Sequence, residues 1–407
     1  MGLSAKPMAT IPSFSSDPTL NAVDRAIVER ESRGLARPYL GASSIGRPCS
    51  RELWYQFRWV APVLFDAITH KRFEDGHRDE DLMASRLRTV PGVELWTLDG
   101  RTGQQIGIMD HGGHFRGHLD GIIRGILQAP KTPHVWEHKC TNEKKQANLD
   151  KLKAEFGEKE ALKKWDEVYY AQALIYMYYM DLTRHYLTVS SPGGRTQTSC
   201  RTNASNKEAK LIVNKAMRII TSPEPLERIS EKPEFFQCKW CNFKAVCHGE
   251  SLPAVNCRTC AHATPEMDGN GRWSCALYQG DIPTDFQRAG CARHVYIPAL
   301  LAPYKTIDAS MDENWIEYEK PDGARFRNGD GYYSSEELRV SDHLLIGDKG
   351  IEALKKPSAP DWLMPPNSTS QAPMTELESG VDEVYRAMGV PTSSAIGSDG
   401  AKESENV

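Results

Sequence analysis

Apolar residues recur at helical spacing from Leu20 to Arg33 and from Phe65 to Leu87, predicting two helices, with a third from Ser43 to Trp59 that has Cys49 near its start. The helix over Phe65–Leu87 aligns Phe73, His77, Glu80, Asp81 and Ala84, a face that mixes apolar and ionisable groups. The period then shortens to strand-like over Val93–Asp99, Gln104–Asp110, His114–Leu127 and Val135–Cys140, which together predict a sheet. A Lys- and Glu-rich stretch, Asn142–Lys164, leads into an aromatic helix over Val168–Leu182 that places Gln172 and Tyr176 one turn apart. A strand over His185–Ser190, a Pro192–Gly194 turn and a return strand over Gln197–Arg201 form a hairpin, and Lys207–Ile220 is a further helix.

This order predicts an α/β protein with a mixed sheet flanked by helices, followed by a cysteine-rich metal-binding lobe and a disordered C-terminal tail. The expected divisions are a disordered N-terminus over 1–20, a main domain over 21–250, the cysteine lobe over 251–300, a small β-containing module over 301–365 and the tail over 366–407. Within the module, Trp315–Phe326 predicts a hairpin around Asp322-Gly323. Val381, Val384, Tyr385 and Met388 follow helical spacing in the tail, where an amphipathic stretch could dock a recombination or replication protein.

Composition narrows the classes. The 407 residues are 40% hydrophobic and 26% charged, and no apolar run reaches the roughly 20 residues of a membrane span. Nothing near the start has the form of a secretory signal, so the expected location is the cytoplasm of a bacterial or phage-infected cell. The net charge of −4 divides into an acidic tail and a nearly neutral body, so bulk charge does not mark a nucleic-acid binder. Lys144, Lys145, Lys151, Lys153, Lys163 and Lys164 offer a basic path for DNA, but interleaved acids fit a solvated helix face as well.

The most informative string is Val135-Trp136-Glu137-His138-Lys139, preceded by Gly117-His118-Leu119-Asp120-Gly121. On a strand, Glu137 and Lys139 share a face. If Asp120 ends a neighbouring strand, the two carboxylates can hold Mg²⁺ or Mn²⁺ while the lysine positions a water, as phosphodiester hydrolysis requires. The ordinary alternative is an exposed strand pair beside an Asp-Gly turn. Asp120, Glu-x-Lys at Glu137 and Lys139, Gly76-x-x-x-Glu80 and Gln172-x-x-x-Tyr176, in that arrangement along the chain, resemble the PD-(D/E)XK nuclease superfamily in its RecB-like branch. The resemblance implies a restriction-endonuclease-like core and a metal-dependent DNA exonuclease. In it, Asp120, Glu137 and Glu80 bind the cation, Lys139 assists the water, and Gln172 and Tyr176 orient the site or touch the strand. His77 is a further candidate ligand or phosphate contact.

Seven of the ten cysteines lie between Cys238 and Cys291, and clustered thiols without a secretory signal point to metal rather than disulfides. Cys238, Cys241 and Cys247 need a fourth ligand, for which Cys49 is the candidate; four thiolates suit a 4Fe-4S cluster or an all-cysteine zinc site, and spacing does not separate them. The layout resembles the iron-sulfur exonucleases of the AddB and CRISPR-associated type, which favours iron-sulfur and implies roles in recombination, repair or phage DNA processing. Cys257, Cys260, Cys275 and Cys291 predict structural zinc, with His262, His294 or His248 as substitutes for one thiol. Cys140 and Cys200 are single thiols, Cys140 facing away from Lys139. Two rival readings are a non-hydrolytic nucleic-acid-binding recombination partner and an iron-sulfur redox sensor.

Overall fold

The computed structural model describes residues 17–34 and 36–351, all within one compact unit; the tail, its candidate docking helix and most of the N-terminal segment lie outside the described residues. Helix α1 (Pro18–Ser32) starts at Asp17, whose carboxylate accepts the N–H groups of Thr19 and Leu20. Strand β1 (Leu40–Gly41) follows, then α2 (Ser50–Phe57). The longer helix predicted from Ser43 is cut to this length because Pro48 interrupts the turn before it and the Cys49 Sγ caps it, accepting the N–H of Glu52 at 3.4 Å. Helix α3 (Ala67–Arg88) fills the predicted span.

The four predicted strands do not make one sheet. β2 (Glu94–Trp96), β3 (Gly107–Asp110), β4 (Phe115–His118), β5 (Gly121–Arg124) and β6 (His134–Cys140) divide between two. β1, β4 and β3 form a small sheet in that order. A five-stranded sheet runs β2-β5-β6-β7-β8, with β7 (Arg184–Ser190) and β8 (Gln197–Asn203). The stretch read as one strand over His114–Leu127 is therefore two strands that leave one sheet and enter the other at Leu119-Asp120.

β6 and β7 are parallel, and their crossover carries α4 (Glu143–Phe156), α5 (Glu158–Trp165) and α6 (Glu167–Tyr179). Gly157, at φ +85°, separates the first two. α7 (Asn206–Thr221) packs against α2 and α6. The short helices α8 (Phe236–Lys239) and α9 (Lys244–Cys247) precede the cysteine lobe, built of β9 (Ala263–Pro265), β10 (Trp273–Cys275), β11 (Gly280–Asp281) and α10 (Thr284–Ala289). The predicted hairpin is β13 (Trp315–Glu319) with β14 (Arg325–Gly329); β12 (Lys305–Ser310) adds a third strand, and α11 (Ser335–Val340) follows.

The expected boundaries at 250 and 300 are not breaks in packing. One apolar core runs from Leu40 and Trp54 through Trp273 and Tyr296 to Phe326 and Ile346. Arg258 makes the join: its guanidinium lies 3.7 Å from the Trp59 ring centroid and 4.7 Å from that of Trp273, and it donates to the carbonyls of Phe57 and Pro38.

Candidate active site

β5 begins at Gly121, opposite Trp136, so β6 runs past its antiparallel neighbour from Glu137 onward. The backbone there needs another partner, and the Asp120 carboxylate supplies it, accepting the N–H of His138 at 2.7 Å. This contact fixes Asp120 at the crossing between sheets and beside Glu137. The crossing is also held by α6, where the Tyr176 hydroxyl donates to the carbonyl of His118 at 2.8 Å and accepts from Gln172 at 3.4 Å. Gly117 is required by that approach, since a Cβ there would sit 2.7 Å from both Tyr176 Cε1 and Ala42 Cβ.

Glu137 and Lys139 share a face, and Lys139 Nζ donates to Glu137 Oε2 at 2.7 Å and stands 5.3 Å from the centre of the Tyr169 ring. They are not the exposed strand pair of the ordinary alternative: Glu137 is 2% exposed. Burial, with the charge of Asp120 added, pushes the Glu137 carboxyl up to about 8 against the pull of Lys139. Burial and Asp120 likewise raise Glu80, which projects from α3, to about 7. Burial opposes the charge on Lys139, but Glu137 and Asp120 outweigh it and hold the ammonium above its ordinary range. Asp120, Glu137, Lys139 and Glu80 thus form one electrostatic group. The second oxygen of Glu137, Oε1, is buried without a hydrogen-bond partner. A carboxyl oxygen without a partner beside a second carboxylate is the donor chemistry that a hard divalent cation takes once the proton on Glu137 is displaced.

His77 is exposed on α3, and the interactions just described do not extend to it among the described residues. Gln172 and Tyr176 are buried; Tyr176 holds the carbonyl of His118 and Gln172 bonds the Tyr176 hydroxyl. Three of the six lysines of the basic path are taken up by local polar contacts. Lys145 bonds Asp166 at 2.9 Å, Lys163 pairs with Glu208 at 3.1 Å, and Lys153 bonds Asp150 and Thr198.

Two further residues support the site that the sequence did not single out. Asp79, 4% exposed, accepts the N–H of Gly193 at 3.1 Å and the hydroxyl of Ser190, tying α3 to the β7–β8 turn one residue before Glu80. His138 bridges Thr188 and Ser190 on the sheet's other face, and burial lowers it to about 4, so it is neutral. The signal for Asp79 is the Pro192-Gly193-Gly194 turn, where the N–H of Gly193 calls for an acceptor from outside the turn.

The thiols gather into two quartets. Cys49, Cys238, Cys241 and Cys247 line a cavity of about 30 Å³ with Tyr55, Arg228 and His248. Cys257, Cys260, Cys275 and Cys291 line one of about 290 Å³ with His262 and His294. All ten cysteines are free, and Cys140 and Cys200 belong to neither quartet. Among the described residues no three His, Cys, Asp or Glu side chains have their donor atoms drawn around one point tightly enough to hold an ion as they stand. Both nitrogens of His294 are already bonded, to Ser335 at 2.7 Å and Thr259 at 3.2 Å. That leaves His294 no lone pair for the substitution proposed from sequence.

No family model and no curated protein sequence matches the chain. Among solved structures it is similar to a protein titled SSO0001, at 17% identity and a TM-score of 0.31, over 57% of this chain and 98% of that one. It is also similar to the alkaline exonuclease LHK-Exo from Laribacter hongkongensis, at 12% identity and a TM-score of 0.32, over 48% of this chain and 90% of that one. The complex of LHK-Exo with dAMP matches at 14% identity and a TM-score of 0.31, over 49% and 90%.

Proposed function

We propose that this protein is a metal-dependent deoxyribonuclease of the PD-(D/E)XK type, hydrolysing phosphodiester bonds at DNA ends or on single strands. The observation that carries the reading is the buried, unpartnered Glu137 Oε1, held beside Asp120 and Lys139 where β6 outruns β5. A buried carboxylate oxygen without a donor costs stability, and such costs are retained where chemistry needs them. Asp120, Glu137 and Glu80 are the residues to hold Mg²⁺ or Mn²⁺, which when bound supplies positive charge at the phosphate and a more acidic water. Lys139, fixed between Glu137 and the Tyr169 ring, orients the attacking water and offsets negative charge growing at the phosphate. Tyr176 positions the site by holding the carbonyl of His118, two residues before Asp120. Cys49, Cys238, Cys241 and Cys247 are the residues to hold a 4Fe-4S cluster, a staple from α2 to the segment after α7.

End-labelled single- and double-stranded DNA digested with Mn²⁺ tests this. Wild type is expected to release short products, and Glu137→Gln, which keeps the shape of the side chain, to lose at least about 100-fold in rate. Melting curves of the same samples separate lost chemistry from lost fold. Equal cutting by wild type and Glu137→Gln, or none by metal-loaded wild type, removes the nuclease reading.

A further inference from the structure

The cysteine lobe joins the rest of the chain through a buried cation. Asn256 shapes the turn that precedes it: its side chain accepts the N–H groups of Arg258 and Thr259, and its own amide donates to the carbonyl of Trp59 at 3.0 Å. The N–H of Cys260 then closes on the carbonyl of Cys257 at 3.1 Å, giving a C-x2-C knuckle with Arg258 at its tip. Arg258 is 1% exposed and stands among Phe57, Trp59 and Trp273. Its acceptors are the carbonyls of Phe57 and Pro38 and the amide oxygen of Gln287, all neutral. A guanidinium buried on neutral partners is costly, so whatever fixes the chain around it bears on the stability of the join.

The local elements supply little. The knuckle pairs with the segment after α10 through a single bridge, Cys260 opposite Tyr296, with the N–H of Ala261 on Val295 and that of Ile297 on Thr259. Beyond it, β9 and β10 have three residues each, β11 two and α10 six. What converges there instead is four free thiols from separate segments: two on the knuckle, Cys275 at the end of β10, and Cys291 just past Gly290, which stops α10 at φ +69°. All four line one cavity.

We propose that Cys257, Cys260, Cys275 and Cys291 bind one zinc ion that locks the knuckle and thereby clamps Arg258 into the aromatic box of the main core. Zinc binding draws the four sulfurs inward to the roughly 2.3 Å Zn–S distance of a closed structural site. The clamp does not depend on the nuclease reading, and its test involves no cleavage.

The full-length protein is analysed for zinc and iron per chain, as wild type, Cys275→Ser, Cys291→Ser and Arg258→Met, with tryptophan fluorescence and melting followed as a thiol reagent strips the metal. One zinc per chain is expected in wild type, lost in both serine variants while iron is unchanged. Metal stripping should shift the emission of Trp59 and Trp273 and lower the melting point in wild type. In Arg258→Met the drop in melting point should be smaller, because the buried charge that needs the clamp is gone. Either serine variant retaining its zinc, iron rather than zinc leaving with Cys275, or equal drops in wild type and Arg258→Met would each overturn the proposal. If the serine variants are insoluble, wild type against Arg258→Met still decides it.

Discussion

At Glu137 and Glu80 the conflict between burial and charge has a measurable sign. Both carboxyls start from an ordinary value of 4.5 and are raised in the folded chain, Glu80 to about 7 and Glu137 to about 8. Across that window these two carboxyls hold more protons in the folded protein than in the unfolded chain, so their contribution to stability in metal-free solution falls as pH rises from about 5 to 8. Buried histidines such as His138, His114 and His185, lowered by burial, contribute the opposite slope at the acid end. Lys139 adds no slope there, because its raised value and its unfolded value both lie above the window. The advantage of the wild-type urea midpoint over that of Glu137→Gln in chelator should shrink from pH 5 to pH 8, a difference that cancels the histidines, and Mn²⁺ should restore more at pH 8 than at pH 5. Asp120→Asn removes the neighbouring charge that raises both groups, so it should flatten this dependence and stabilise the metal-free protein at pH 8 by about 1–2 kcal/mol. A steeper dependence in Asp120→Asn, read from the same midpoints, would count against this account. Much of this cluster was legible in sequence, because strand alternation alone places Glu137 with Lys139. Their burial was not, since it depends on which helix covers that face.

Among the elements, the crossing from β4 to β5 does most to shape the site, and it is where the strand pattern misleads. Phe115 to Arg124 alternates as one strand would, yet the hydrogen-bond partners change from β1 and β3 to β2 and β6 at Leu119-Asp120. Period-2 alternation reports which face a side chain takes, not which strand lies alongside, so the break leaves no mark in the pattern. β12 went unread for the opposite reason: its residues are mostly exposed, so no apolar alternation marks it. The crossing depends on close contact between Gly117 and Tyr176. Gly117→Ala should cost about 1–3 kcal/mol and lower cleavage further than the stability loss accounts for, since Asp120 moves with the strand. Calorimetry alongside the DNA digest checks this; an unchanged melting point would mean that α6 yields without strain.

For the whole molecule, the order of elements and the cysteine-rich segment after them place a boundary at 250 that one apolar core crosses. The signal was hidden because the residue that bridges it is a charged arginine between two cysteines, which no hydrophobic pattern counts as core. A chain ending at residue 250 is expected to lose cooperative melting and near-ultraviolet ellipticity, because Trp54, Phe57 and Trp59 lose the cover of Arg258 and Trp273. Native-like melting of that shortened chain would instead restore the boundary. Arg258 also bears on how such a chain can diverge. Its box is assembled from Phe57 and Trp59 on one side of the sequence and Trp273 on the other, around a charge that tolerates no empty wall. The lobe therefore cannot be exchanged or discarded in a single step: its removal exposes an aromatic pocket, and repacking the pocket strands the cation. Lobe and core are bound to change together.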